Sequence, residues 1–457
     1  MKLTMSNEVD LGNESVKKLF WILALPAILS QAINALYNIV DRMYIGHIPD
    51  VGSIALTGVG VCFPIIMIIS ATAYLFGVGG APRASIYMGK KDNRTAEKIL
   101  GNCFVSLIVV SLVLTGIVWI FNEPLLYLFG ASDNTIGYAK SYICIYAIGT
   151  ISVMLTLGMN AFISTQGFSK ISMLTVLIGA ITNIILDPIF IFVFNLGVNG
   201  AAWATIISQT ISAIWALKFL LSNKTLLHLR KDCMKIEKNI LGPCIGLGVA
   251  PFVMQSTESI LVLCFNSSLL AYGGDLAVGA MTILSSIMQF AMLPLQGMTQ
   301  GGQPIISFNY GAGKLDRVKK AFKLQLLSCF VYALVLWLLV MFAPSFFALV
   351  FTSDSSLVDI SSWAMRIYFF AVPMMGIQVA CQQTFIAFGN SKTSAFLAIF
   401  RKLILLIPLI YILPIIVSDK VFAVFLAEPI ADTIASITTA TLFYFNFKKM
   451  IQNKNQE

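Results

Sequence analysis

Between Gln166 and Phe192 the chain reads QGFSKISMLTVLIGAITNIILDPIFIF. After Lys170 no charged residue follows until Asp187, and the apolar character continues past it, so the stretch has the length of about 20 residues that crosses roughly 30 Å of hydrocarbon. It is a membrane span. Within it, Asn183 and Asp187 stand one helical turn apart, immediately before Pro188, so both side chains project into one space. A carboxylate at membrane depth costs from about 2.5 kcal/mol to several times that. Something must justify keeping it there.

The rest of the chain has the same character. Of 457 residues, 58% are hydrophobic and 11% charged, whereas soluble domains carry about 25% charged residues. Apolar windows of spanning length recur near residues 19–43, 54–78, 97–121, 137–158, 169–194, 199–221, 241–269, 277–301, 322–346, 361–386, 394–416 and 421–446. The expectation is an all-α polytopic membrane protein of about twelve transmembrane helices. Lys17 and Lys18 before the first run resemble the start of a secretory signal, but the run continues past Pro26 to Asp41 without a small-residue cleavage site, so it reads as a retained span.

The net charge of +9 would suggest nucleic acid in a soluble protein, but here the cations sit in alternate short loops. These are Lys90, Lys91 and Arg94; Lys224, Arg230, Lys231, Lys235 and Lys238; and Lys314, Arg317, Lys319 and Lys320. The other loops carry Asp50, Glu123, Asp133, Asp275 and Asp354. The basic loops are expected in the cytoplasm, with both termini on that side of the plasma membrane. The eight Cys residues are scattered, with Cys62, Cys103 and Cys329 inside apolar runs and no CxxC pair, so they read as small core residues rather than zinc ligands. The two histidines, His47 and His228, lie outside span centres, and no catalytic constellation can be built from them. The chain reads as no enzyme, with no cofactor beyond a coupling ion.

The second half echoes the first at an offset of about 222 residues. Gly79-Gly80-Ala81-Pro82 returns as Gly301-Gly302-Gln303-Pro304, Gly89 as Gly311, and Gly167 with Ser169-Lys170 as Gly389 with Ser391-Lys392. Six spans is an even number, so the two repeats are expected as pseudo-symmetric six-helix bundles related by an axis along the membrane normal. The organisation read from this is an N-terminal lobe over 1–222, a basic linker over 223–239 and a C-terminal lobe over 240–457.

Polar groups inside spans mark the candidate sites. On span one, Gln31, Asn34, Asn38 and Asp41 form a polar stripe at helical spacing. Span six adds Thr205 and Ser208. If spans one, five and six are neighbours, Asp41, Asn38, Asn183, Asp187 and Thr205 converge. Hard oxygens from Asp41, Asn183, Asp187 and Thr205 suit sodium, and two interacting acids suit a proton. Both ligands stay open. The competing readings place Asp41 at the helix end near the outer interface, beside Arg42 and His47, and make Asp187 a cap for the Pro188 kink or the partner of a neighbouring helix. Asn34, Tyr37, Gln255, Glu258, Met288 and Met292 are candidates for lining a substrate cavity, although in a chain with 19 Met and 33 Phe most such side chains face lipid or other helices. Glu428 and Asp432 stand one turn apart on span twelve, and Arg401 and Lys402 on span eleven are expected partners for Glu428 or Glu258. Counting 222 from Asp187 reaches Leu409, so the lobes are expected to be functionally unequal.

These residues resemble the multidrug and toxic compound extrusion transporters, in particular their bacterial drug/cation antiporters. The likeness covers nearly the whole chain. It rests on Pro26, Asn34, Asn38 and VDRMYIGHI in span one, FGVGGAPRAS and MGKKDNRTAEK around the end of span two, the stretch from Gln166, and GVNGAAWATIIS in span six. The resemblance implies cation-driven export of amphipathic, commonly cationic compounds by alternating access. It implies a first-lobe cation or proton site at Asp41, Asn183, Asp187 and Thr205. Some members use an acid pair on spans seven and ten; here Glu258 is present and Met375 stands in place of the second acid. The expected partners are a small organic substrate and the bilayer, without nucleic acid, and the chain is expected to be monomeric. A lipid-linked precursor flippase is the alternative, and would favour interior cations for a pyrophosphate.

Overall fold

The structure, a computed structural model, describes residues 9–454. Its helices are α1 (Val16–Gly46), α2 (Gly52–Gly89), α3 (Asn93–Leu128), α4 (Ile136–Ile148), α5 (Thr150–Thr165), α6 (Ser169–Pro188), α7 (Val198–Leu220), α8 (Lys238–Ser256), α9 (Glu258–Gly311), α10 (Leu315–Phe342), α11 (Pro344–Leu349), α12 (Ser355–Tyr368), α13 (Val372–Ala387), α14 (Ser391–Ile399), α15 (Ile407–Ile416) and α16 (Lys420–Lys454). Among the described residues, nine continuous helical stretches are long and apolar enough to span a membrane, and two bent pairs bring this to eleven. One of those stretches, Lys238–Gly311, has 74 residues, several times the length a bilayer needs, and breaks at Gly274 (φ 65, ψ −164). Counted as two, it makes twelve spans.

Spans four and ten, expected as single helices, are each broken. The α4–α5 pair bends by 56° and the α12–α13 pair by 51°. At the first bend Gly149 leaves room for Ile206 of α7, whose side chain occupies the place a Cβ would take, with Cγ1 only 2.6 Å away. At the second, Pro373 in the first turn of α13 has no N–H with which to continue α12. Span seven is also interrupted at Thr257, where Ser256 and Thr257 turn their hydroxyls onto the carbonyls of Phe252 and Val253 (2.7 and 2.6 Å) a turn after Pro251.

One apolar core fills the first bundle and another the second. The bundles also exchange arms. The start of α1, with Leu19, Phe20, Leu23 and Ala24 fully buried, packs into a core built from α9, α10 and α13 of the second bundle. The start of α8, with Cys244 fully buried, packs into the core of the first. Offset by the repeat, these two arms are counterparts.

Between the lobes the helices meet backbone to backbone. A Cβ on Gly89 would lie 2.0 Å from the Phe308 carbonyl oxygen, and one on Gly311 would lie 2.0 Å from that of Ile86. Ile86 and Phe308 are themselves repeat counterparts, so the contact is reciprocal about the pseudo-twofold axis. Gly79 against Cys244, Gly248 against Leu75, Gly297 against Ile28 and Gly301 against Ala24 approach as closely. All of these contacts lie toward the basic loops, so the lobes are closed at that end.

Two straps reinforce the closure. The segment before α1 lies on the second lobe: Asn309 Nδ2 and Arg317 Nη2 donate to the Leu11 carbonyl (2.9 and 3.1 Å), and Lys314 Nζ donates to that of Gly12 (2.8 Å). The basic linker before α8 lies on the first lobe: Asn102 Nδ2 donates to the Lys235 carbonyl (3.0 Å), Asn102 Oδ1 accepts from the Glu237 N–H (2.7 Å), and Glu97 pairs with Arg230 (3.0 Å). Arg94 pairs with Asp232 and holds that carboxyl below its usual range.

Candidate cation site

Asp41 lies in the last third of α1, and Asn183 and Asp187 lie in the last two turns of α6, which packs along α1. Asn183 and Asp187 are fully buried. Asn183 Nδ2 donates to Asp187 Oδ1 (3.1 Å), and the carboxyls of Asp41 and Asp187 face each other within interaction range. Three buried oxygens are left without a donor: Asp41 Oδ1, Asp187 Oδ2 and Asn183 Oδ1. Asp187 takes no backbone N–H from the kink after Pro188; that break closes on itself as a π-turn over Ile189–Val193, with Phe194 N–H donating to the Ile189 carbonyl (2.9 Å). The capping reading of Asp187 is therefore set aside.

Thr205 is buried on α7, but its hydroxyl interacts with Tyr142 of α4, so it joins the acids through that phenol rather than beside them. Tyr142 stacks on Tyr146 one turn away (centroids 6.1 Å apart), and both are buried. Tyr142 lies within electrostatic range of Asp41, as does Tyr37 of both acids. The sequence reading named Tyr37 but missed Tyr142; its signal was a pair of phenols at i and i+4 in an apolar span, where each hydroxyl needs a partner. Asn38 is exposed; its amide donates to the Asn34 carbonyl of its own helix (2.6 Å), and its side chain interacts with Tyr37 beside the acids.

The candidates on the second lobe separate into two groups. Gln255 reaches across the seam to Met67 Sδ (3.0 Å). Met288 and Met292 pack against the apolar cores of the second lobe. Glu258 pairs with Lys402, while Arg401 donates to Asp432 Oδ1 (2.6 Å) and Glu428 Oε1 (3.2 Å). The expected pairings of Arg401 and Lys402 are thus both present. No group of three or more His, Cys, Asp and Glu side chains able to hold a metal occurs among the described residues. The donor set around Asp41 is oxygen alone, which fits a hard monovalent cation or a shared proton.

Twelve spans in two repeated lobes, with an acid pair enclosed in one of them, define a membrane transporter. The sequence model of the MatE family matches residues 26–189 and 251–412, one segment in each lobe, and the chain belongs to this family of multidrug and toxic compound extrusion transporters. It is 26% identical over 395 residues, 85% of each chain, to the multidrug export protein MepA of Staphylococcus aureus (strain MSSA476). To MepA of Staphylococcus haemolyticus (strain JCSC1435) it is 25% identical over 430 residues, 94% of each chain. Its fold is similar to that of a multidrug resistance MATE transporter of the MOP superfamily solved in an outward-facing conformation (TM-score 0.90, 22% identity, 97% of this chain and 99% of that one). A MATE structure in a bent conformation gives a TM-score of 0.92 at 21% identity, over 98% and 99% of the two chains.

Proposed function

We propose that this protein is a cation-coupled antiporter of the plasma membrane that exports amphipathic, cationic organic compounds, with sodium or a proton bound between Asp41 and Asp187. The three buried, donorless oxygens of Asp41, Asp187 and Asn183 carry this reading. Oxygens enclosed in hydrocarbon without donors are strongly unfavourable until a positive ion or a proton joins them. Tyr37 and Tyr142 wall the site, and Thr205 orients Tyr142. By the charge of its loops, the closed end faces the cytoplasm and the termini lie on that side. The ion and the drug then bind opposite states, so each favours release of the other.

The flippase alternative needs interior cations free for a pyrophosphate. Arg401 and Lys402 are the candidates, and both are already paired with acids, Arg401 with the buried Glu428 and Asp432 and Lys402 with Glu258. Dye efflux from energised vesicles tests the antiport reading, with sodium and proton gradients imposed separately on the native protein and on Asp41→Asn and Asp187→Asn. Loss of gradient-driven efflux in both variants is expected. Efflux unchanged in both overturns the assignment, and scrambling of lipid-linked sugar without dye transport would favour the flippase.

A further inference from the structure

The first-lobe site leaves unused a second group of charges, where α8, α13, the π-turn Phe400–Leu406 and α16 meet. Three carboxylates, Glu258, Glu428 and Asp432, face two cations, Arg401 and Lys402. Arg401, Lys402, Glu428 and Asp432 are buried, and Arg401 ties both acids of α16. Lys402 has two partners, the Met254 carbonyl (2.6 Å) and Glu258. The pair is lopsided: the Lys402 side chain is 5% exposed and that of Glu258 58%.

The Glu258 side chain is more than half exposed (58%). It stands one turn beyond Gln255, whose amide touches Met67 of the opposite lobe, so the two share a face of the helix. On the other side, Gln382 of α13 donates to Met254 Sδ (3.5 Å). Gln378 stands one turn before Gln382 on the same helix. Gln378 is buried (2% exposed), and its Oε1 has no donor. A buried acceptor without a partner is an unmet polar group that a ligand's positive or donating head can satisfy.

The charge count says which head fits. If Lys402 leaves Glu258 it keeps the Met254 carbonyl and lies within electrostatic range of Glu428. Arg401 and Lys402 then balance Glu428 and Asp432, and Glu258 is the one surplus charge. We propose that Lys402 is a tethered stand-in for the substrate: its ammonium neutralises Glu258 while the cavity is empty, and a substrate carrying one positive charge binds by displacing it. Lys402 thereby sets the charge selectivity of the second lobe, admitting monocations that compete with it and disfavouring neutral compounds that cannot.

This rests on the proposed export of organic cations, and equilibrium binding to the full-length purified protein separates the two. The probes are tetraphenylphosphonium, a permanent monocation, and triphenylphosphine oxide, an uncharged relative. Lys402→Met removes the competitor, so tetraphenylphosphonium binding should tighten about tenfold, the step that 1.4 kcal/mol gives, with triphenylphosphine oxide unchanged. Lys402→Arg keeps a charged competitor and should bind tetraphenylphosphonium far closer to the native protein than Lys402→Met does. Glu258→Gln should abolish the preference for the charged probe. Lys402→Met that fails to tighten the cation selectively overturns the proposal; should that variant not fold, an intact charge preference in Glu258→Gln overturns it. Absence of saturable tetraphenylphosphonium binding in the native protein would reject the organic-cation reading and this proposal together, whereas native binding with unresponsive variants rejects this proposal alone.

Discussion

The side-chain carbonyl of Gln166 accepts three hydrogen bonds from the linker: the Thr225 hydroxyl (2.8 Å) and the N–H groups of Leu226 and Leu227 (2.9 and 2.8 Å). Removing one such acceptor strands two backbone donors, one fully buried, each worth about 1–3 kcal/mol. Gln166→Ala is expected to destabilise the protein by about 2 kcal/mol or more, read as a lowered unfolding midpoint in detergent, without altering ion selectivity. Residues of this kind were not legible in the sequence, because the bonds link positions about 60 apart and no spacing rule joins them. The pairing of Asn183 with Asp187 was legible for the opposite reason. Asn183 and Asp187 are neighbours by helical geometry alone, and a carboxylate in an apolar run is conspicuous wherever it points. The partner of Thr205 was not, since Tyr142 reaches it only once α4 and α7 have packed. The bond from Asn38 to the Asn34 carbonyl was also not legible, because an amide on a polar stripe has its own helix backbone as an alternative partner.

At the scale of the element, spans were readable from length and hydropathy, but their bends were not. Span four contains no proline, and its 56° bend arises where a side chain of α7 wedges against Gly149. The glycine pairs between lobes show what such small residues permit. The backbones of α2 and α9 touch at Gly89 and Gly311, and a side chain at either position strikes a carbonyl that belongs to a packed helix. Gly89→Leu and Gly311→Leu are each expected to force the lobes apart at the basic end. Cys244, fully buried at that seam against Cys103, reports the opening. A membrane-permeant maleimide should label it in both variants and leave it unmodified in the native protein, as read by peptide mass mapping.

For the whole molecule, the repeat was legible from its glycines and prolines, whereas the exchange of arms was not, because a hydropathy pattern does not say which bundle buries a given face. The straps follow the same exchange. Leu11 and Cys233 are repeat counterparts, and each offers its carbonyl to an asparagine of the opposite lobe, Asn309 and Asn102 (2.9 and 3.4 Å). Asn309→Ala combined with Arg317→Ala is expected to release the strap before α1. Hydrogen exchange should then rise across residues 16–24, by about tenfold for each 1.4 kcal/mol lost, and stay unchanged in α6. The same feature governs how the chain is made. The Leu11 carbonyl must wait for Asn309, 298 positions later, and the hydrophobic beginning of α1 has no permanent burial place until the second bundle exists. A nascent chain cut off after its sixth span would therefore leave the start of its opening helix against lipid, so this part of the fold can close only once the second bundle has been made.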